Sequence, residues 1–222
     1  QNLFGWATSN AATLTVGYAP AITNQPADQN AIVGTSPTFT VVVIGTTPLS
    51  YQWQKDTVDI SGATSASYTI DNVQLDANGT IYRCYISNKY GNITSSSATL
   101  AVGYAPAFAT QPTSFDQIMG TSVTFSITLS KGTEPVTYQW QLDEADISGA
   151  TGTSYTIDTL SAKHAGTYRC VASNDFATAT SNEAALTVGI PPTISSQPAD
   201  QNATVGSNPT FIVTVKGTEP LT

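Results

Sequence analysis

The sequence predicts an all-β protein made of tandem two-sheet sandwiches, and three observations carry that expectation. Short runs of alternating apolar and polar residues are separated by turn residues about every 8–12 positions. Helical spacing of apolar residues persists nowhere for more than one turn. The same landmarks also return at a step of about 86 residues, the mark of a repeated structural unit.

The repeat sets the organisation. Gly17, Gly103 and Gly189 close the similar runs ATLTVG, ATLAVG and AALTVG, and Gly34, Gly120 and Gly206 keep the same step. Phe39, Phe125 and Phe211 follow it, as do Gln25-Pro26, Gln111-Pro112 and Gln197-Pro198, and Cys84 with Cys170. On this register residues 18–103 and 104–189 are whole units. Residues 1–17 match only the closing strand of a unit, and 190–222 only the first part of another. The two end pieces do not add up to one unit, so the native polypeptide is expected to be longer at both ends.

In the first whole unit the strands are expected near 21–26, 30–33, 36–44, 49–55, 66–71, 79–88 and 92–103. Phe39, Val41 and Val43 fall on one face of the third by the two-residue period. Ser67-Tyr68-Thr69-Ile70 and Ala98-Thr99-Leu100-Ala101-Val102 alternate in the same way. About seven strands in a unit of this length make a sandwich of two sheets.

Three further motifs narrow the family. Tyr51-Gln52-Trp53 and Tyr138-Gln139-Trp140 follow the third strand of their units. Tyr82 and Tyr168 each stand two residues before Cys84 and Cys170, and Asn88-Lys89-Tyr90-Gly91 and Asn174-Asp175-Phe176-Ala177 then form hairpin turns. This pattern resembles the I-set immunoglobulin superfamily, in the form found as tandem repeats of bacterial surface and secreted proteins. The resemblance implies Greek-key sandwiches in which Trp53 and Trp140 are the core tryptophans. Tyr82 and Tyr168 would be tyrosine corners whose hydroxyls bond back to the backbone, and Cys84 and Cys170 the cysteines of the next-to-last strand. The usual partner positions of those cysteines hold Val41 and Ile127, so the inter-sheet disulfide is absent and the thiols are expected to be buried and inert.

Between units the chain reads Val16-Gly17-Tyr18-Ala19-Pro20, Val102-Gly103-Tyr104-Ala105-Pro106 and Val188-Gly189-Ile190-Pro191-Pro192, without a Gly/Ser spacer. Proline narrows the backbone there. A rod is expected, each unit adding on the order of 35–45 Å by strand rise and loops.

Only 10% of residues are charged, and 7 Lys+Arg against 15 Asp+Glu leave a net charge of −8. That field opposes binding to nucleic acid or an anionic membrane, and no long apolar run points to membrane insertion. No catalytic constellation stands out. His164 is the sole histidine and is read as a solvated loop residue. The acidic groups Asp56, Asp59 and Asp143, Glu144, Asp146 lack the dense spacing of a metal loop and read as polar turns. No cofactor is expected. The aromatics Phe4, Tyr90 and Phe176, with Trp6 beside them, are candidate contact residues, although their recurrence also suits packing. Asn78-Gly79-Thr80, Asn92-Ile93-Thr94 and Asn202-Ala203-Thr204 match glycosylation acceptors, a weak signal in a Thr-rich chain.

These features point to a non-catalytic, extracellular or cell-surface structural and adhesive region, forming a stalk or fibre. Its partners would be neighbouring repeats or copies of itself, with a glycan or a surface protein as a further contact. The alternatives are a multivalent glycan- or protein-binding array, or an accessory region of a larger secreted enzyme or a phage virion protein.

Overall fold

A computed structural model describes residues 3–219, which divide into two compact units at Gly103 and Tyr104. In the first unit the strands are β1 (Ala21–Asn24), β2 (Gln29–Ile32), β3 (Thr38–Thr40), β4 (Val42–Ile44), β5 (Ser50–Lys55), β6 (Val58–Asp59), β7 (Ser67–Thr69), β8 (Ile81–Asn88), β9 (Gly91–Thr94) and β10 (Ala98–Gly103). One sheet runs β2-β10-β8-β5-β6, with β9 also on β8. The facing layer is made by β1 on β4 and β3 on β7. Every pairing is antiparallel except β2 with β10, which lie parallel.

The second unit repeats this order with β11 (Ala107–Thr110), β12 (Phe115–Ile118), β13 (Val123–Ser126), β14 (Thr128–Lys131), β15 (Thr137–Leu142), β16 (Ala145–Asp146), β17 (Ser154–Ile157), β18 (Gly166–Ser173), β19 (Thr178–Thr180) and β20 (Ala184–Gly189). Its main sheet is β12-β20-β18-β15-β16, again with one parallel edge, β12 on β20. Two single-turn 3-10 segments, Leu75–Ala77 and Ala162–His164, are the helical elements among the described residues.

Two strands expected to be continuous are divided, for different reasons. The run 36–44 pairs with β7 through β3 and with β1 through β4, so it serves two neighbours in turn, and Val41 stands at the change. Phe39 and Val41 are nonetheless buried on one face, with Val43 half-buried beside them. The run 92–103 breaks at Ser95–Ser97 because the chain carries one extra residue there relative to β8. Thr94 faces Tyr85 and Ala98 faces Tyr82, which is a β-bulge. The short β6 was not anticipated. Left-handed Asp56 (φ 47) and Thr57 (φ 75) make the tight turn that creates it.

Each unit closes around its own core. Trp53, Phe39, Cys84, Ile86 and Leu100 are fully enclosed in the first, and Trp140, Phe125, Cys170, Ala172 and Ala184 in the second. The Phe39 and Tyr82 rings stack at 4.8 Å, and those of Phe125 and Tyr168 at 4.4 Å, which adds orientation to the apolar burial.

The flanking segments differ from the two closed units. Residues 6–20 form no strand, although 1–17 read as a closing strand, and Leu14 and Val16 are exposed. A strand needs a partner ladder to satisfy its backbone, and no neighbour supplies one here. Beyond Gly189, β21 (Thr193–Ser196) and β22 (Thr214–Lys216) pair antiparallel. Phe211, at the register position of Phe39, is 64% exposed. Residues 1–2 and 220–222, including Leu221-Thr222, lie outside the described residues.

Candidate interaction surfaces and the groups around them

The tryptophan–cysteine pair forms the centre of each unit. Trp53 lies directly across from Cys84 between β5 and β8, and Trp140 across from Cys170 between β15 and β18. Each indole N–H donates to a backbone carbonyl, Trp53 to Ser65 at 2.9 Å and Trp140 to Gly152 at 3.0 Å, so a large apolar ring is buried without an orphaned donor. Val41 and Ile127 are buried in the same cores. Both cysteines are free, and burial pushes each thiol up to about 11. A thiol so protonated is a poor nucleophile.

Tyr168 donates its hydroxyl to the backbone carbonyl of His164 at 2.8 Å, and burial pushes it up to about 12. Tyr82 is buried at the matching place. His164 itself corrects the sequence reading. It is half-buried rather than solvated, because its Nδ1 accepts the N–H of Ser161 at 3.0 Å and closes a capping box on the 3-10 turn. The imidazole holds the turn together, and the backbone carbonyl of the same residue accepts the tyrosine-corner hydroxyl.

Two buried serines were missed. Ser95 and Ser181 are the buried polar side chains of the cores. At each bulge the Cys84 or Cys170 N–H loses its ladder partner, and the serine Oγ accepts it at 2.9 Å. The hydroxyl in turn donates to the carbonyl of Ser96 or Asn182. Their recurrence at the repeat step, eleven residues after each cysteine, was the available signal.

The acidic groups singled out in the sequence are used within the turns. Asp56 and Asp143 accept the N–H of Ile81 and Thr167. Asp59 and Asp146 accept from Gln54 and Gln141, whose carbonyls accept Arg83 and Arg169. Glu144 pairs with Arg169 at 3.1 Å. A shallow depression of about 450 Å³ lies over this outer face in the first unit, lined by Ser50, Gln52, Gln54, Asp59, Tyr85 and Ser87. The amide nitrogen of Gln52 donates to Trp53 and Ile60 carbonyls, and that of Gln54 donates to Asp59, so these groups are engaged within the unit.

The candidate contact aromatics do not share one environment. Phe4 and Trp6 are 97% and 86% exposed, whereas Tyr90 and Phe176 are half-buried on their hairpin turns. The Lys89 ammonium lies 4.8 Å from the Tyr90 ring centroid. Among the described residues no helix is long and apolar enough to cross a membrane.

Family models match both units: the immunoglobulin I-set domain over residues 20–102 and the immunoglobulin domain over residues 105–174. The chain belongs to the immunoglobulin superfamily. Human Roundabout homolog 3 is 30% identical over 151 residues, covering 66% of this chain and 11% of that protein. Endoglucanase C of Cellulomonas fimi is 28% identical over 197 residues, covering 84% of this chain and 18% of that protein. Human cell adhesion molecule DSCAM is 29% identical over 202 residues, covering 82% of this chain and 10% of that protein. The chain thus spans between a tenth and a fifth of the length of these relatives. Among solved structures, the titin I-band fragment I67–I69 matches with a TM-score of 0.61 at 24% identity, covering 91% of this chain and 77% of that one. That likeness concerns the immunoglobulin-like fold.

Proposed function

We propose that this chain is a non-catalytic repeat region of a secreted or cell-surface protein, a stalk or fibre that makes adhesive contacts. The observation that carries the reading is the direct succession of closed sandwiches. β10 ends at Gly103 and β11 begins at Ala107, so three residues separate the last strand of one repeat from the first of the next. The residues that sequence alone offered for chemistry are occupied with structure: His164 caps a turn, the carboxylates hold turns, and the thiols are enclosed. The similarity to Roundabout homolog 3 and to the cell adhesion molecule DSCAM supports contact with other proteins or with copies of itself as the repeats' role. Bacterial origin and attachment to a surface belong to this proposal.

Small-angle scattering on the chain, and surface-protease shaving of intact source cells, test it. An elongated particle gaining about 35–45 Å per complete repeat, released from outside the cell, is the expected outcome. A compact particle, or protection inside the cell, would overturn it. The match to Endoglucanase C over most of this chain favours a second reading, an accessory region beside a catalytic domain. The full-length sequence of the source protein distinguishes the two.

A further inference from the structure

Strand alternation gives each repeat an outer face on its main sheet, and the faces of the two repeats differ. Cys84 and Ile86 are fully enclosed, so Arg83, Tyr85 and Ser87 on β8 point away from the core. Register places Ser87 across from Ser50 and Asn92, and Tyr85 across from Gln52 and Thr94. Arg83 lies across from Gln54, which in turn faces Asp59 on β6. Tyr85 stands in the middle of these rows and is 37% exposed. The depression of about 450 Å³ lies over them, within the size range of ligand clefts. The matching positions on β18 of the second repeat hold Arg169, Val171 and Ser173.

Hydrogen bonds order the polar groups of the first face before any ligand arrives. Gln52 Nε2 donates to the Trp53 and Ile60 carbonyls at 2.9 and 2.7 Å. Gln54 Nε2 donates to Asp59 Oδ1 at 2.7 Å, and Gln54 Oε1 accepts Arg83 Nε at 2.7 Å. The Gln54 relay uses one of the guanidinium N–H groups and one of the two carboxylate oxygens. In the second repeat Arg169 pairs in addition with Glu144 at 3.1 Å and with Glu183 at 3.8 Å. The positions of those two glutamates in the first repeat hold Thr57 and Ser97, so Arg83 lacks both carboxylates.

We propose that this outer face of the first repeat binds an uncharged saccharide, with the Tyr85 ring against the C–H face of a sugar and Asp59, Gln54 and Arg83 bonding its hydroxyls. A pyranose presents an apolar face ringed by hydroxyls that both donate and accept. An outward aromatic ring beside ordered carboxylate, amide and guanidinium groups matches that pattern, and their prior ordering lowers the cost of binding. A protein partner would be met better by an apolar anchor pocket, and this lining is hydroxyl, amide and carboxylate around the tyrosines. Asp59 and the net charge of −8 disfavour an acidic sugar. The second repeat, with Val171 in place of the ring and Arg169 already paired, is not a second copy of the site. The proposal stands apart from the stalk reading, because it concerns what one repeat recognises and not the location or length of the array.

NMR titration of the whole chain with cellohexaose, xylohexaose and mannohexaose tests it. At least one of these uncharged oligosaccharides should shift the amides of Gln52, Tyr85 and Thr94 saturably. The amides of Gln139, Val171 and Thr180, at the matching positions of the second repeat, should stay in place. Tyr85→Val copies the residue that the closed second repeat carries there, so the fold should hold while binding weakens at least tenfold. Thr57→Glu combined with Ser97→Glu, which gives Arg83 the partners of Arg169, should weaken binding as well. No saturable shift with any of the three oligosaccharides would overturn the proposal. So would shifts shared equally by both repeats, or equal affinity of Y85V and the parent.

Discussion

Raising the pH from 8 to 10 measures how completely the two repeats enclose their thiols. In the unfolded chain each cysteine ionises near 9.0, whereas burial holds Cys84 and Cys170 protonated up to about 11. Across that window the folded state binds more protons than the unfolded state. The stabilisation is therefore fully present below pH 9 and is lost as pH rises through 11. One pKa unit corresponds to about 1.4 kcal/mol. Each repeat should accordingly lose on the order of 1 kcal/mol by pH 10 and roughly twice that once both states are ionised. Urea unfolding at pH 8, 9 and 10 of the parent and of the double variant Cys84→Ala/Cys170→Ala reads this directly. The parent should weaken by on the order of 1 kcal/mol per repeat more than the variant between pH 8 and pH 10. Tyr168, held protonated to about 12, adds an alkaline loss common to both proteins that cancels in the comparison. Parallel pH dependences would refute the reasoning, and so would alkylation of the native thiols at pH 8 at the rate of a free cysteine.

Four other substitutions probe the cores. Trp140→Ala removes the largest enclosed side chain of the second repeat and should cost about 3–5 kcal/mol; urea unfolding should then split into two transitions, with the first repeat unfolding where it did before. Ser95→Ala or Ser181→Ala strips the acceptor from a buried cysteine N–H and should cost about 1–3 kcal/mol, with faster exchange of that one amide as its signature. Tyr168→Phe should lower stability by about 0.5–1.5 kcal/mol, measured as a shift in the urea midpoint at constant slope.

The sequence carried the sandwich because its signals are local or strictly periodic. Alternation at Phe39, Val41 and Val43 reports a half-buried strand from a few residues, and the return of Trp, Tyr and Cys in register marks each core. What stayed hidden depends on long-range geometry. The bulge opposite Cys84 is one extra residue between Thr94 and Ala98, which no propensity reveals, and the serine that answers it looks like any other in a Ser-rich stretch. His164 was read as solvated because its role depends on a turn closing back on Ser161. Most legible of what was missed are the threonines that accept the N–H of the residue opening each repeat, Thr46 from Tyr18, Thr133 from Tyr104 and Thr218 from Ile190. Gly45-Thr46-Thr47-Pro48, Gly132-Thr133-Glu134-Pro135 and Gly217-Thr218-Glu219-Pro220 recur as plainly as the tryptophans, but a Gly-Thr-x-Pro run reads as an ordinary turn until its bonds are traced.

Those bonds give the low charge content a physical meaning. Asp56 and Asp143 serve backbone N–H groups at two turns, but at the bulges, beside the core tryptophans and at the first residue of each repeat the partners of such backbone groups are neutral side chains: Ser95 and Ser181, Gln52 and Gln139, Asn88 and Asn174, Thr46 and Thr133. An ionised side chain in those places would carry a larger desolvation cost and would weaken with pH or with salt. Amides and hydroxyls carry neither dependence. The Ser, Thr, Asn and Gln that replace charged residues in this chain are thus more than a soluble coat. A good part of them closes the backbone where one structural element hands over to the next.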